Sequence, residues 1–366
     1  MTQYIGTPGY AHGTPARVGV LLVNLGTPDD PSPRSVRKYL AEFLWDPRVI
    51  EMPRALWWLI LHGVILRIRP RRSAHAYQKI WTPQGSPLLL ESQALTRGLA
   101  AQLAGKFGDR VVVDLAMSYG QPAIKAVLTR MRERNVQRLV VLPLYPQFSA
   151  TTTGSIFEFV TKELGRWRWM PELRFVNQYW QNEQYLAAIA DSITANWREH
   201  GRKHLVFSFH SIPKRYLLAG DPYHCFCHAT AREVASRLGL ARDEWSIGFQ
   251  SRFGREEWLK PYVDVLLHDY SHVGPKKVTV VCPGFATDCL ETLEEINMQN
   301  RELFLSHGGE AFEYVPCLNA SSSHVTALES VILEHTHGWP EFAGAPVDTA
   351  QLGAARERAL ALGAAH

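Results

Sequence analysis

The sequence predicts an α/β protein built as two similar Rossmann-type halves, each a doubly wound parallel sheet, facing one another across a cleft. Three observations carry this reading. β-Branched runs alternate with helix-length segments along the whole chain. Many of the runs are apolar at nearly every position, as in Leu139-Val140-Val141-Leu142 and Val278-Thr279-Val280-Val281, the pattern of strands covered by helices on both faces. Short sequence echoes also recur in the same order in the two halves.

In chain order, residues 1–17 are polar and rich in Gly, Pro and Thr, so ordered structure is expected from Val18. Strands are expected at Val18–Leu25, Arg110–Met117, Arg138–Leu144, His204–Phe209, Trp245–Phe249, Lys277–Cys282 and Phe312–Val315. Between them, Leu186, Ile189, Ile193 and Trp197 mark a helix by their spacing. Gly26-Thr27-Pro28 is echoed by Ser211-Ile212-Pro213, Tyr119-Gly120 by Phe253-Gly254, and Val140-Val141-Leu142-Pro143 by Val280-Val281-Cys282-Pro283. The halves are therefore set at 18–180 and 181–346, with a tail at 347–366. The first echo recurs after 185 residues and the second after 134, so 51 more residues lie between the two echoes in the first half, which places an insertion at about 29–90. That insertion holds Leu56-Trp57-Trp58-Leu59-Ile60-Leu61, followed by Arg67, Arg69, Arg71 and Arg72. An apolar face with a basic end suits a cavity lip or a membrane-surface helix, and equally a core helix with a solvated end. Two adjacent Trp cannot both point inward on such a helix.

Composition removes several classes of function. With 366 residues, 46% apolar and 20% charged, the chain is long enough for two cores and too apolar for disorder. A net charge of +4 without a basic stripe excludes a general nucleic-acid binder. Five cysteines form no disulfide framework and suit a reducing cytoplasm. The N-terminus lacks a secretory pattern, and the longest apolar stretch, Ala55–Leu66, is about half of the roughly 20 residues a membrane span needs.

Chemistry concentrates at two strand ends, the usual place for function in α/β sheets. His210, in Phe207-Ser208-Phe209-His210-Ser211-Ile212-Pro213, follows a strand and opens a turn; its imidazole can take a proton or bind a borderline metal ion. Asp288, Glu291, Glu295 and Gln299 follow another strand at spacings that share one face of an α-helix, offering hard oxygen ligands and a row of proton acceptors. Asp288 and Glu291 also fit a helix-capping box, a purely local role. The Tyr145–Ser155 loop has neither the Lys of a P-loop nor dinucleotide glycine spacing, and Ser155 with Glu158 fits a second capping box. His224-Cys225-Phe226-Cys227-His228 lacks a second cysteine pair and reads as free cysteines rather than a zinc site.

Taken in order, Val20-Leu21-Leu22-Val23-Asn24-Leu25-Gly26-Thr27-Pro28, the Tyr145–Ser155 loop, the Phe207–Pro213 cluster, Gly220-Asp221-Pro222-Tyr223 and the Thr287–Glu295 segment make the sequence resemble the ferrochelatases, nearly end to end. The resemblance implies a chelatase-like fold with a porphyrin in the cleft, no tightly bound cofactor, and Fe²⁺ and protoporphyrin IX as substrates. His210 and Glu291 match the paired catalytic and metal-site residues, with Asp288 and Glu295 continuing a proton or metal path. Leu25, Arg69, Tyr77, Tyr119 and Trp258 match porphyrin-binding positions. Cys289 stands where animal members carry His. Some members hold a [2Fe–2S] cluster through C-terminal cysteines; the last cysteine here is Cys317, so no iron–sulfur cluster is expected. The alternatives are coproporphyrin III as the substrate, another metal chelatase on this scaffold, or a two-lobed ligand-binding protein without catalysis. The expected location is the cytoplasm, with the lip suited to peripheral contact with the inner face of its membrane.

Overall fold

The computed structural model describes residues 4–7, 9–254, 256–343 and 348–364. In the first half, β1 (Arg17–Thr27) leads into α1 (Pro33–Trp45), α2 (Arg54–Ile60), a π-helical turn at Leu61–Ile65, α3 (Leu66–Ile80) and α4 (Pro87–Phe107). Then follow β2 (Val111–Gly120), α5 (Ile124–Glu133), β3 (Val136–Pro143), α6 (Thr153–Leu164) and β4 (Glu172–Phe175). The linking helix α7 (Glu183–His200) precedes β5 (His204–His210), α8 (Lys214–Leu218), α9 (Tyr223–Arg237), β6 (Trp245–Gln250), α10 (Val263–His272) and β7 (Lys277–Val281). A ten-residue π-helix, Glu291–Asn300, runs on into α11 (Arg301–Ser306), then β8 (Ala311–Val315), α12 (Ser322–His335) and α13 (Thr349–Ala361).

The two sheets are parallel and have the same topology, β2-β1-β3-β4 and β6-β5-β7-β8. β1 and β5 are buried almost throughout, as their nearly unbroken apolar runs require of strands covered on both faces. Asn24 faces Met117 as Phe209 faces Phe249, and the amides of Met117 and Phe249 donate to the carbonyls of Pro122 and Pro261 at 2.7 and 2.8 Å. The Gly26/Ser211 echo is thus in structural register. The other two are displaced, by two residues and by one: Met117 corresponds to Phe249, and Val140 to Thr279. Echoes this short slide easily.

The seven expected strands are present. The eighth, β4, has no run of apolar residues because it is a short edge strand with half-exposed side chains. The packing crosses the sequence halves. α12, late in the chain, lies against α4 and α7, and one core runs from Val20 and Leu99 through Tyr185 and Ile193 to Phe207 and Leu328. Gly26 closes β1 against β2; at φ +109 a Cβ there would stand 1.8 Å from the Tyr119 carbonyl oxygen, so only glycine fits.

The insertion forms its own apolar cluster beside the first sheet, joining Leu40, Trp57, Leu61, Tyr77 and Tyr119. Its two tryptophans divide as a narrow apolar face requires: Trp57 is buried with Nε1 donating to the Leu44 carbonyl at 2.7 Å, while Trp58 is half exposed. The lip reading therefore belongs to the other face. Leu56, Trp58, Leu59, Val64 and Ile68 point outward, and Trp57 and Leu61 are core.

Candidate functional site

His210 ends β5 beside Gln250 of β6. Its Nδ1 lies 2.6 Å from the Ser211 carbonyl, which only accepts, so Nδ1 carries a hydrogen and, in the neutral ring, the lone pair is on Nε2. Gln250 is itself fixed: Ser208 Oγ donates to its Oε1 at 2.6 Å, and its Nε2 donates to the Glu291 carbonyl at 2.9 Å. Ser251 adopts a left-handed conformation, φ +67, uncommon for a residue with a side chain and a mark of a constrained site. That turn aims its amide at Glu295 Oε1, 2.7 Å away, and its hydroxyl at Glu295 Oε2. Burial raises the Glu295 carboxyl above its ordinary range; the Ser251 hydroxyl and the charge of His210 pull it down, and Glu291 pushes it up. The structure thus brings His210, Glu291 and Glu295 together.

The four acidic-face positions do not fall in one row. The row assumed α-helical spacing, whereas the i→i+5 bonds of the π-helix widen each turn. Asp288 lies before that helix and is buried, with its oxygens taken by Tyr314 OH (2.5 Å), Asn319 Nδ2 (2.7 Å) and Thr292 Oγ1 (3.0 Å). It anchors the start of the π-helix, and not through the Asp288–Glu291 box: the helix has no side-chain N-cap bond. Ser155 and Glu158 form no box either, since α6 begins after Thr152 without one and Glu158 pairs with Arg48 at 2.8 Å. Glu294 is buried and tied to Lys79 Nζ at 2.8 Å, joining the insertion to the second half.

Around Glu291 stand Tyr39, Tyr77, Tyr145, Arg69 and Cys289. Burial pushes the three phenols and the thiol up, and the charge of Glu291 adds to the shift in each. Burial draws the Arg69 guanidinium down, with Glu291 opposing. Glu291 is therefore surrounded by neutral phenols and a neutral thiol, with one guanidinium. Arg69 reaches across to the Phe253 ring, 5.4 Å from its centroid. Leu25 and Tyr77 pack in the same cluster as Leu290 and Leu293 of the π-helix segment. Tyr119 is buried, its hydroxyl donating to Asp46 Oδ2 at 2.7 Å and its ring against Phe43 and Phe159, in the same apolar cluster as Leu25. Trp258 bridges Pro213, two residues past the His210–Ser211 peptide, and its Nε1 donates to the Phe253 carbonyl at 2.9 Å.

Sequence reasoning missed Tyr39, Tyr145, Gln250, Ser251 and Phe253. Tyr145 and Gln250 sit at strand ends, a legible signal; Tyr39 sits on the buried face of α1, where nothing distinguishes it from core. The Tyr145–Ser155 loop proves to be a clasp between halves: Ser149 Oγ and the Ala150 amide both donate to Asp221 Oδ2, at 2.9 and 2.8 Å. Of the two cysteines on α9, Cys225 is exposed and Cys227 buried, and both are free.

The ferrochelatase profile matches residues 17–336. The chain is 52% identical over 366 residues to the ferrochelatase of Thioalkalivibrio sulfidiphilus, covering 99% of each, and 53% identical over 337 residues to that of Marinobacter nauticus, covering 92% of this chain and 91% of the other. Among solved structures, SirB from Bacillus subtilis with Fe³⁺ is similar with a TM-score of 0.52 at 12% identity, covering 89% of this chain and 98% of that one. The sirohydrochlorin chelatase SirB in complex with cobalt, from the subspecies spizizenii, is similar at 0.51, with the same coverage. At that identity the structures share the fold with this chain, and the sequence relatives supply the kinship: the chain belongs to the ferrochelatase family.

Proposed function

We propose that this chain is the lyase of haem biosynthesis that inserts Fe²⁺ into protoporphyrin IX with release of two protons. The observation that supports it best is the placing of His210, at the end of β5, with Glu291 and Glu295 of the π-helix, beside the buried Tyr39, Tyr77 and Tyr145. A metal enters a porphyrin only as the inner N–H protons leave and its own waters are stripped. His210, with Nε2 free, takes a pyrrole proton. Glu291 binds iron or passes protons, and Glu295, held by Ser251, receives them. Asp288 anchors the helix that carries both carboxylates. Leu25, Arg69, Tyr77 and Trp258 hold the macrocycle, whose binding energy bends the ring and exposes its nitrogen lone pairs. Neutral phenols around Glu291 add no charge to the path.

The outward apolar face of the insertion, Leu56, Trp58, Leu59, Val64 and Ile68, lies beside exposed Arg67, Arg71 and Arg72. Apolar insertion with basic attraction suits the inner face of the cytoplasmic membrane, where a poorly soluble porphyrin collects. It also favours protoporphyrin, with its vinyl edge, over coproporphyrin. Among the described residues no helix is long and apolar enough to cross a membrane. The chain is proposed to work without an iron–sulfur cluster: burial pushes the thiols of Cys227, Cys282, Cys289 and Cys317 up, away from the thiolate form that ligation needs.

Anaerobic turnover with a panel of porphyrins and divalent metals tests this reading. Fastest insertion of Fe²⁺ into protoporphyrin supports it. Preference for coproporphyrin, or for cobalt or nickel over iron, replaces the substrate, and binding without turnover replaces the activity.

A further inference from the structure

We propose that His268, His272 and His307 form a surface site for a borderline divalent transition-metal ion of the Zn²⁺, Co²⁺ or Ni²⁺ class, distinct from the His210–Glu291 site. His268 and His272 lie one turn apart on α10, and their Nε2 atoms are 3.3 Å apart. At a metal–nitrogen length of about 2.0–2.1 Å and a tetrahedral angle, two ligating nitrogens stand about 3.3–3.4 Å apart. The pair already has the bite of a chelate.

The third imidazole comes from the end of α11, which packs on α10. The His307 ring centroid is 5.1 Å from that of His268 and 6.2 Å from that of His272, and the first two are 4.6 Å apart. Imidazoles on one tetrahedral ion have centroids about 5.2 Å apart, so the His268–His307 spacing fits, the His268 and His272 rings part by about 0.6 Å, and His307 closes on His272 by about 1 Å. Among the described residues no three His, Cys, Asp or Glu side chains are already gathered to hold a metal; the ion is taken first by the pair and draws the third ring in. His307 is exposed and precedes Gly308-Gly309.

The outer contacts point the same way. His307 Nδ1 lies 2.8 Å from the Leu303 carbonyl, the hydrogen bond that fixes a ligating histidine with Nε2 free. Asp269 Oδ1 stands 3.7 Å from His268 Nδ1, ready to receive that N–H once Nε2 is engaged. The nearby charge of Lys276 is tethered to the carbonyls of Ser271 and His272. Imidazole ligands with solvent access suit Zn²⁺, Co²⁺ and Ni²⁺, and by the usual affinity order hold Fe²⁺ more weakly. The pair His224 and His228 has a similar spacing, 3.1 Å, but its rings pack on Phe249 and, among the described residues, no third histidine stacks on them.

The test is equilibrium dialysis of the tag-free full-length chain against Ni²⁺ or Zn²⁺, with His210→Ala to silence the catalytic site. The proposal expects one bound ion per chain that the added pair His268→Gln and His272→Gln removes, and that His307→Gln weakens at least about tenfold. In the otherwise native chain the His268→Gln, His272→Gln pair leaves porphyrin metallation unchanged. Full binding by the double variant overturns the site, as does binding lost instead with His224→Gln and His228→Gln; unchanged affinity in His307→Gln overturns the three-histidine form.

Discussion

The side-chain amide of Gln250 donates to the backbone carbonyl of Glu291 at 2.9 Å, so the sheet neighbour of His210 holds the first residue of the π-helix. The spacing between the proposed base and the proposed iron ligand is thereby built into one hydrogen bond. Gln250→Met is expected to lower kcat about tenfold or more with little change in porphyrin KM, because misplacement costs rate more than affinity. It also strands the buried Ser208 hydroxyl, at about 1–3 kcal/mol. A raised KM at unchanged kcat would assign Gln250 to porphyrin binding instead.

Glu295 makes a pH-dependent contribution of definite sign. Its folded-state affinity for a proton is raised above the ordinary value of 4.5, chiefly by burial. A raised carboxyl favours folding below its unfolded value and loses that contribution as pH rises through its folded value. The melting temperature of the native chain minus that of Glu295→Gln should therefore fall as pH is raised from about 4, then level off. A difference that grows with pH would mean that Ser251 and His210 outweigh burial.

Lys79 and Glu294 join the two halves at 2.8 Å, with Glu294 buried and Lys79 partly exposed. Lys79→Met leaves a buried carboxylate with Gln299 as its one remaining partner among the described residues and is expected to cost about 1–3 kcal/mol. Glu294→Gln removes the charge along with the pair and should cost less. Denaturation midpoints for both variants check the order. Turnover per folded molecule in Glu294→Gln should remain near native, since Glu294 faces Lys79 and Gln299 rather than His210.

How far the sequence was legible follows from what each signal reports. Continuous apolar runs mark buried parallel strands, so β1 and β5 were readable and the half-exposed edge β4 was not. His210 was readable because strand ends carry function. The acidic row was misread for a specific reason: Asp288, Glu291 and Glu295 align only at 3.6 residues per turn, and no local residue preference announces a ten-residue π-helix. Tyr39 and Ser251 were invisible because their roles depend on contacts between distant segments. The divided faces of α2 could be foreseen, but which tryptophan points inward is decided by the partner of its indole N–H, the Leu44 carbonyl.

The same division separates stability from surface behaviour in the insertion. Leu59→Ser with Ile68→Ser, on the outer face, is expected to weaken association with anionic vesicles and leave stability within about 0.5 kcal/mol per site. Trp57→Ala or Leu61→Ala, in the core, should cost about 2–5 kcal/mol each. Vesicle sedimentation and melting curves read both. Native-level vesicle binding by the outer-face variant would remove the membrane role.

The central claim is that His210 and Glu291 perform metallation in a pocket that binds porphyrin without them. Anaerobic insertion of Fe²⁺ into protoporphyrin, measured with porphyrin binding by tryptophan quenching on the same samples, tests it most directly. His210→Ala and Glu291→Gln should each lower turnover by at least about 10²-fold, the contribution expected of a positioned acid or base, while porphyrin affinity stays within about threefold of native. Turnover near native in either variant, or loss of turnover only in step with loss of porphyrin binding, would contradict it.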